Sequence, residues 1–576
     1  MKMYWKKTVT SVVITTSLMT TGYTALAAEP TETANLAAPA ASYTLTDALS
    51  VDIKSVLNEH VLEGTRIGVV VRMKNNSGAI TRVPEYELRV KTADGVEYTL
   101  QPSASNPKSI QPRANTELSY MSVIDRTDNV TLSEVNWTDV DYYVYPKTET
   151  LIVAAPIAGQ SWKGSDMAIT DPMAVKKWGE TFKIASFESP LVYTPVSIEK
   201  EMTDKGTVQV VQLLVKNPSE GRETLPDFTL DGKSDTQVYA GKRVEQGDIV
   251  LEAKEQKYIH YAISTDNDTV LSSINLLTPE KFAQSGNGGQ PTLVNYNVGR
   301  LNILLQSTGA GTAYPVYQMG SAMKFDSLSD LIHPNMQVSL VEFHMDANEE
   351  EGSKNVTAKF KLTNNSDMPI AVPEFQTDLV SADGYTYSGN RQLISTKSVL
   401  PNSSLVVSYS YTLPNSEQGN GLALKVQDTQ KAAPYKTTIA AYSVVLQPDE
   451  PENEFKVYPF GAKVTYWTIT PIFNRLGNSL TYSYKARFDL ELTRDESVQV
   501  DPSFSKLQFE IYDSIGRLIG TTTGKFIGAG RLVTGENNII FESTTEQFER
   551  PLTIRVYELF TTQAGESKRL LGVFKQ

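Results

Sequence analysis

Apolar and polar residues alternate along one stretch of sequence that occurs three times in this chain. Its apolar positions are Val69, Val71 and Met73 in the first copy, Val211, Leu213 and Val215 in the second, and Ala358, Phe360 and Leu362 in the third. The residues between them include Arg72, Gln212, Lys359 and Lys361. A period of two places one face of a β-strand on a core and the other in water. We therefore predict a half-buried strand in each copy, with the polar residues facing solvent.

The same short signature follows each of these strands. An Asn-x-Ser is followed, nine residues after the asparagine, by Pro-x-aromatic. The signature residues are Asn75, Ser77, Pro84 and Tyr86; Asn217, Ser219, Pro226 and Phe228; and Asn364, Ser366, Pro373 and Phe375. The copies start 142 and 147 residues apart. Such self-similarity indicates tandem modules.

Glycines and prolines predict the connections around each strand. Gly64, Gly206 and Gly352 lie in polar runs just before the alternating strands, and an apolar run such as Met336–Met345 precedes the glycine. This order predicts a hairpin. The signature proline belongs at the first residue of a third strand or on an edge, where a missing N–H is tolerated. Asp94-Gly95 and Asp383-Gly384 predict tight turns after that strand.

A fourth, divergent copy is predicted near the C-terminus. It comprises Gly477, an alternating strand from Tyr482 to Leu492, and Pro502 followed by Phe504, but it lacks Asn-x-Ser. Gly179 and Gly320 open similar sequences ahead of the second and third copies, and Gly461 stands a further 141 residues on. The joints therefore belong to the repeat, and we expect them to be ordered.

The N-terminus predicts export from the cytoplasm. Residues 1–27 have the charged start, apolar-leaning middle and Ala25-Leu26-Ala27 end of a secretory signal peptide. The predicted order is then a flexible lead-in (28–42), β-sandwich 1 (43–157), a joint plus β-sandwich 2 (158–306), β-sandwich 3 (313–447), a linker (448–454) and a divergent β-sandwich 4 (455–576). Sandwich 1 is predicted to close with a strand from Tyr142 to Val153. Floppy segments are predicted at 285–290, 307–312 and 448–453.

Composition narrows the class of protein. The chain has no cysteine, so disulfides and thiolate metal sites are excluded. The net charge of −13 becomes −16 without the three lysines of the signal peptide, which argues against a nucleic-acid partner. The last module, from Phe455, has 15 basic and 13 acidic residues. No second apolar run is long enough to span a membrane.

These modules, with their strand, Asn-x-Ser, Pro-x-aromatic, Asp-Gly and closing strand, resemble the immunoglobulin-like sandwich domains of unknown function in secreted proteins of Gram-positive bacteria. The resemblance covers most of residues 43–576. It implies an all-β fold of four tandem immunoglobulin-like antiparallel β-sandwich modules after a signal peptide, an extracellular location and roles in adhesion or assembly. It transfers no catalytic residue.

The sequence contains few residues or motifs that are typical of catalytic sites. His60, His260, His333 and His344 are the four histidines, and they show no metal-binding spacing. We expect them to be solvent-facing or strand residues. The chain has no Gly-x-Ser-x-Gly elbow, although a Ser-His-Asp set can assemble from distant positions. We therefore predict no catalytic site, no metal site and no cofactor.

Acidic clusters are the candidates for Ca²⁺. They are Asp266-Asn267-Asp268, Asp139 with Asp141, and Glu349–Glu351. Oxygen ligands suit this ion, but no twelve-residue Ca²⁺ loop is present. We prefer solvated loops as the interpretation.

Tyrosines two residues apart are the candidates for binding. The pairs are Tyr143 with Tyr145, Tyr409 with Tyr411, and Tyr482 with Tyr484. Exposed tyrosines offer large, rigid contact area, whereas core packing and cross-strand pairing are the ordinary alternative. If one binding site is to be named, it is Tyr142, Tyr143 and Tyr145.

Three functions follow. The first is a secreted, non-enzymatic, multi-domain binding or structural protein of the bacterial cell surface. Its partner would be a cell-envelope component, a polysaccharide or another surface protein. The second is a carbohydrate-binding accessory protein of a polysaccharide-active system. The third, a hydrolase, requires a close histidine–carboxylate pair.

Overall fold

The computed structural model describes residues 41–164, 167–169, 171–285, 290–305, 314–348, 352–476, 479–545 and 550–576. All of the helices and strands assigned in these residues are strands, and none is a helix, which confirms the all-β prediction. The predicted signal peptide and nearly all of the lead-in lie outside the described residues. So do Glu349–Glu351, Gly477 and most of the segments predicted to be floppy near 285–290 and 307–312.

Buried apolar side chains form four large cores along the chain. They run from Leu45 to Ile157, from Phe182 to Ile303, from Tyr317 to Val444 and from Phe455 to Phe574. We call the surrounding residues region 1 (42–157), region 2 (158–305), region 3 (314–447) and region 4 (448–576). A fifth, smaller core contains residues of both region 1 and region 2.

Region 1 contains ten strands. They are β1 (Ser42–Thr44), β2 (Leu49–Val61), β3 (Gly64–Asn75), β4 (Thr81–Arg82), β5 (Glu87–Thr92), β6 (Glu97–Pro102), β7 (Ser109–Ile110), β8 (Asn115–Ile124), β9 (Leu132–Asp141) and β10 (Thr148–Pro156). The main sheet has the order β1-β2-β3-β8-β6-β5-β9-β10, and β4 pairs with β7.

Region 2 contains eleven strands. They are β11 (Ser161–Trp162), β12 (Val175–Lys177), β13 (Val192–Thr203), β14 (Gly206–Lys216), β15 (Glu223–Thr224), β16 (Thr229–Lys233), β17 (Val238–Arg243), β18 (Val250–Leu251), β19 (Gln256–Thr265), β20 (Ser273–Gln284) and β21 (Thr292–Leu304). The main order is β12-β21-β20-β16-β17-β19-β14-β13. Strand β15 pairs with β18, and β11 pairs with β2 of region 1.

Region 3 contains ten strands. They are β22 (Met336–Asn348), β23 (Ser353–Asn364), β24 (Ile370–Ala371), β25 (Gln376–Val380), β26 (Thr386–Ser388), β27 (Asn390–Arg391), β28 (Ser398–Val399), β29 (Ser404–Pro414), β30 (Ala423–Asp428) and β31 (Thr437–Ser443). One sheet has the order β22-β23-β29-β27 and another β26-β25-β30-β31, while β24 pairs with β28. The core contains side chains from both larger sheets.

Region 4 contains nine strands. They are β32 (Glu454–Val457), β33 (Phe460–Leu476), β34 (Ser479–Arg494), β35 (Val498–Gln499), β36 (Lys506–Tyr512), β37 (Leu518–Lys525), β38 (Gly535–Thr545), β39 (Thr553–Thr562) and β40 (Gly565–Lys575). The sheets have the orders β32-β33-β34-β38 and β37-β36-β39-β40. Strand β35 instead pairs with β29 of region 3.

Two parts recur in every region. The first is a three-strand group: β2-β3-β8, β13-β14-β19, β22-β23-β29 and β33-β34-β38. Its surface facing away from the region's core is called the leading face. The second is the antiparallel pair of strands at the end of each region, called the closing hairpin: β9–β10, β20–β21, β30–β31 and β39–β40.

A β-bulge marks the first strand of every leading face. The pairing register shifts at Lys54, Val196, Val341 and Thr465. A bulge adds one unpaired residue and increases the local twist. The residue after each bulge lies opposite Val70, Gln212, Lys359 or Asp489 on the next strand. The residue after the bulge and the residue opposite it are therefore equivalent positions in the four leading faces, and they allow the faces to be compared.

The alternating strands bury their apolar faces as predicted, but their polar faces are not all in water. Val71, Leu213 and Phe360 are fully buried. However, Lys359 is also fully buried and Gln212 nearly so. The prediction of a solvent-facing side is therefore wrong at these two positions. At Lys359 the reason is that side chains of region 4 cover the leading face.

The three signature asparagines make the same hydrogen bonds. Each is fully buried, and each Nδ2 donates to the backbone carbonyl four residues on at 2.7 Å. Each Oδ1 accepts from the backbone N–H and from the hydroxyl of the serine two residues later. Further Nδ2 bonds reach carbonyls 34 to 36 residues away, such as Ile110 and Val399. The asparagine thereby satisfies a bend that lacks backbone partners.

The fourth copy has a partial substitute for this arrangement, which its sequence did not indicate because an aspartate stands in place of the asparagine. Asp495 Oδ1 accepts from the N–H of Ser497 at 3.0 Å and from its hydroxyl at 2.6 Å. Elsewhere in the region, Asn537 Nδ2 donates to the carbonyls of Val533 and Gly535. Asp495 thus reproduces the acceptor contacts of the asparagine, whereas Asn537 donates to carbonyls that lie just before it in the chain.

The predicted connections are confirmed with two corrections. Gly64, Gly206 and Gly352 have positive φ at the hairpin turns, as does Gly95. The signature prolines lie three residues before β5, β16 and β25 rather than at their first residue. Gly461 lies within β33, without the positive φ that Gly179 and Gly320 share, so it is not their structural counterpart.

Candidate functional site

The tyrosines singled out from the sequence lie at an exposed hairpin tip. Strand β9 ends at Asp141 and β10 begins at Thr148, so the predicted strand from Tyr142 to Val153 is wrong in its first half. The connection is a loop because it carries Tyr142 to Lys147 around the end of the hairpin. The rings of Tyr143 and Tyr145 are wholly exposed, and Tyr142 is two-thirds exposed.

Polar contacts fix the base of this tip. Asp141 Oδ1 accepts from the Tyr143 N–H at 2.9 Å, which holds the turn. The Tyr142 hydroxyl donates to Glu87. Arg89 donates to Glu87 at 2.8 Å and to both oxygens of Glu149 at 2.9 and 3.1 Å.

The charges beneath the tip are largely compensated. Hydrogen bonds from Arg89 and Lys147 lower the pKa of Glu149 to about 2. The Arg89 guanidinium and the Tyr142 hydroxyl outweigh partial burial to lower the pKa of Glu87. Both carboxylates are therefore ionised at neutral pH, and the arginine fork holds them in place. The tip presents aromatic rings on a fixed polar base.

The chemistry available at the tip is that of binding. Tyrosine rings supply rigid apolar area, and their hydroxyls remain hydrogen-bonding groups. The other two tyrosine pairs differ from this one. Tyr409, Tyr411 and Tyr484 are fully buried, which confirms core packing as the interpretation for them. Burial raises the pKa of Tyr411 well above its usual value.

Comparison with known proteins adds no assignment. No protein-family model matches this sequence, and no curated protein does. Within the described residues, no helix has the length and apolar character needed to cross a membrane.

The histidines include one close carboxylate pair. His260 is buried, and its Nδ1 lies 2.6 Å from Glu245 Oε1. The same carboxylate accepts from the His260 backbone N–H at 3.0 and 3.1 Å. Nε2 of His260 is buried without a hydrogen-bond partner among the described residues. A hydrolase would need a nucleophile at that nitrogen. We expected each histidine to face solvent or to lie on a strand. His260 lies on strand β19, but it is buried and does not face solvent.

The other histidines make weaker contacts. His60 Nε2 lies 3.4 Å from Asn129 Oδ1, and His333 Nδ1 accepts from the Asn335 N–H at 3.1 Å. His344 is buried, and this burial lowers its pKa to about 4.

The described acidic clusters make protein contacts. Asp266 accepts from the Tyr239 hydroxyl at 2.9 Å, and Asn267 accepts from Thr207 and Lys200. In the described ranges, no group of three or more histidine or acidic side chains is arranged to hold a metal ion. Glu349–Glu351 lie outside those ranges.

A mixed-charge groove is lined by residues of both region 3 and region 4. It has a volume of about 300 Å³, and its lining includes His344, Asp346, Asp449, Glu452 and Arg569. Burial raises the pKa of Asp346 to about 6. The segment 448–453, predicted to be floppy, lies here and is tied to region 4, since Asn453 O accepts from the Val464 N–H at 2.7 Å.

Buried charges between regions are the main feature that the sequence did not indicate. Lys359 Nζ lies 2.7 Å from Glu342 and 2.8 Å from Glu558, and Arg569 lies 3.0 Å from Glu558. All four side chains are at most 5% exposed. The available signal was a charged residue at the centre of an apolar strand, as with Lys359 between Ala358 and Phe360.

A similar group joins regions 1 and 2. Lys54 Nζ lies 3.1 Å from Glu280, which Arg300 contacts at 2.9 Å. Arg300 also donates to the Lys54 carbonyl at 2.8 Å. These groups join one region to the next.

Proposed function

We propose that this chain is a secreted, non-enzymatic binding or structural protein of the bacterial cell surface, built from four tandem immunoglobulin-like β-sandwich modules. Support for the modules comes from the four cores, the four equivalent bulges and the three matching asparagine arrangements. Support for secretion comes from residues 1–27, which have the charged start, apolar-leaning middle and Ala25-Leu26-Ala27 end of a signal peptide.

The observation that carries a binding role is the tip of the first closing hairpin. Tyr143 and Tyr145 expose whole aromatic rings, although apolar rings are normally buried. Asp141 and Arg89 fix the loop that presents them. A fixed aromatic surface loses little entropy when a partner binds.

The test is retention of residues 28–576 on purified cell wall, crude envelope and insoluble polysaccharides, with and without EDTA. We expect retention on at least one of these materials. The variant Tyr143→Ser/Tyr145→Ser should lose at least tenfold in affinity. Tyr385→Ser, which removes another exposed tyrosine, should leave retention unchanged. Equal retention of both variants would contradict the role of the tip.

A carbohydrate ligand is the second candidate. The carboxylates of Asp139 and Asp141 stand beside the exposed tyrosines, so hydrogen-bond acceptors accompany the stacking rings. Slower migration of residues 28–576 in gels containing a soluble polysaccharide would support it. Unchanged migration in every gel would remove it.

A further inference from the structure

Each junction between successive regions is built in the same way. The closing hairpin of one region contacts the leading face of the region before it. Glu280 of β20 contacts Lys54 of β2, Lys425 of β30 contacts Glu199 of β13 at 3.2 Å, and Glu558 of β39 contacts Lys359 of β23. Three junctions thus join the same two surfaces.

This arrangement leaves one surface of each kind at the ends of the series. The leading face of region 4 contacts no closing hairpin among the described residues, and Tyr466 and Ile540 on it are exposed. Region 1 has a closing hairpin with no region before it among the described residues.

The leading face of region 4 exposes apolar side chains. After the bulge, Ser55 of region 1 and Glu342 of region 3 are buried, whereas their counterpart Tyr466 is 52% exposed. Opposite the bulge, Val70 and Lys359 are fully buried, but the Asp489 side chain is 24% exposed. On the neighbouring strand β38, Ile540 is 52% exposed.

The closing hairpin of region 1 aligns with the one that docks in region 2. Leu132, Ser133 and Asn136 match Leu271, Ser272 and Asn275 at a constant offset of 139 residues. The backbone agrees, because Ser133 O accepts from the Ile157 N–H at 2.9 Å and Ser272 O accepts from the Leu305 N–H at 3.0 Å.

By this alignment, the exposed tip of the β9–β10 hairpin corresponds to residues of β20 that are docked against region 1. Tyr143 corresponds to Phe282, and Asp141 corresponds to Glu280. Phe282 is buried in the small core shared with region 1, and Glu280 contacts Lys54. Tyr143 and Asp141 therefore have the residue types of a docked hairpin, but in the described structure they contact no leading face.

The charges of the two ends are complementary. Residues 43–157 contain 15 acidic and 11 basic residues, whereas residues 455–576 contain 13 acidic and 15 basic ones. Lys485 and Arg487 lie on β34 beside Asp489, and Asp139 and Asp141 lie on β9. Opposite charges favour this orientation of two chains over like-with-like pairing.

We propose that the leading face of region 4 binds the closing hairpin of region 1 from a second copy of this chain. This inference rests on the proposed function, because it names the partner of the exposed tyrosines. The contact is heterologous, so every bound copy offers another unoccupied face and another unoccupied hairpin. The assembly adds copies head to tail instead of stopping at a symmetric dimer.

The test is sedimentation velocity with light scattering on residues 28–576 from about 1 to about 200 µM, a range suited to interfaces of ordinary size. The wild type should reach at least twice the monomer mass and continue to grow with concentration. The hairpin variant Tyr143→Ser/Tyr145→Ser and the face variant Tyr466→Ser/Ile540→Lys should each remain monomeric. Tyr385→Ser should behave as wild type.

Mixing the two variants gives the decisive result. Each retains one intact surface, so an equimolar mixture should reach twice the monomer mass and stop there. A monomeric wild type, growth of either variant alone, or a monomeric mixture would overturn the proposal. Matching circular dichroism and thermal transitions would establish that the variants fold.

The proposed function fails separately from this inference. If the wild type is monomeric but the hairpin variant loses retention on wall or envelope, the tip binds the cell surface and not a second copy. If the wild type assembles as predicted but is retained on no material, the self-association stands and surface binding is wrong.

Discussion

The junction between regions 1 and 2 and the junction between regions 3 and 4 use the same three charged residue types. Each has a lysine from the earlier region and a glutamate and an arginine from the closing hairpin of the later one. The residues are Lys54, Glu280 and Arg300 in the first, and Lys359, Glu558 and Arg569 in the second.

The balance between charge and burial differs at the two places. Burial raises the pKa of Glu280 above its usual value, although Lys54 and Arg300 oppose this effect. At Glu558 the charges of Lys359 and Arg569 outweigh burial and lower the pKa. The neighbouring charges thus outweigh burial at Glu558 but not at Glu280, and the first junction has an additional apolar core. The same residue types can thus act as the main contact or as an accessory to apolar packing.

Replacing the junction lysine, Lys359 or Lys54, should give the largest difference in stability loss between the two junctions. Lys359→Met leaves two buried carboxylates, Glu342 and Glu558, with Arg569 as their one remaining cationic contact in the described structure, so we expect a loss of about 3–5 kcal/mol. Lys54→Met should cost about 1–2 kcal/mol, because Arg300 still contacts Glu280. Hydrogen exchange in β39–β40 and β20–β21 measures each loss locally. Equal losses would show that the junctions do not differ in this way.

Removal of an apolar side chain should show the opposite preference. Phe282→Ala deletes a buried ring of the shared core, so we expect about 3 kcal/mol of destabilisation, seen as faster exchange in β2 and β20. Exchange in β39–β40 should be unchanged. Val445→Ala, at an exposed position, is the control and should have little effect. Faster exchange throughout the chain would show that the first junction is not an independent unit.

The pH dependence of stability should distinguish the second junction. Burial raises the pKa of Asp346 to about 6, above the value of about 4 in an unfolded chain. The native state then binds more protons between these values, so this residue's contribution to stability falls as the pH rises from about 4 to 6. Asp346→Asn should stabilise the protein by about 2 kcal/mol at pH 7.5 and by little at pH 4.

Chemical denaturation of Asp346→Asn and wild type at both pH values provides the measurement. Asp52→Asn changes a carboxyl of the first junction's strand β2 and serves as the matched substitution. A gain for Asp346→Asn that is the same at both pH values would contradict the assignment to proton binding.

The junction between regions 2 and 3 should give the smallest effect. Lys425 and Glu199 are 19% and 16% exposed and lie 3.2 Å apart. Glu199→Gln keeps a hydrogen-bond acceptor for Lys425 and should therefore cost about 1 kcal/mol, and added salt should reduce the difference only slightly because the pair is mostly buried. Thermal unfolding at low and high salt checks this. A loss of stability as large as that of Lys359→Met would show that this junction depends on its ion pair as much as the junction between regions 3 and 4 does.

The fold was predictable where one residue type decides a local structure. Alternation at Val69, Val71 and Met73 predicted a strand, and Gly64 and Gly95 predicted turns, because backbone geometry and burial on one side are local properties. The signature asparagines were visible as a repeat. Their hydrogen bonds to carbonyls some 35 residues away were not, since those depend on tertiary packing.

The candidate site was predictable only in part. Tyr143 and Tyr145 had the same spacing as Tyr409 and Tyr411, but one pair is wholly exposed and the other fully buried. Spacing cannot decide this, because the outcome depends on whether the residues lie on a strand over the core or on a loop beyond it. Likewise, Lys359 resembled a surface lysine because the residues that cover it come about 200 positions later.

The buried asparagines also bear on how the protein can be produced. Asn75-Asn76-Ser77 and Asn364-Asn365-Ser366 are acceptor sequences for N-linked glycosylation, whereas Pro218 removes Asn217 from that class. A eukaryotic secretory pathway would attach a sugar to the same Nδ2 atoms that donate inside the fold. The glycan has no room in a fully buried site. Bacterial expression avoids this modification.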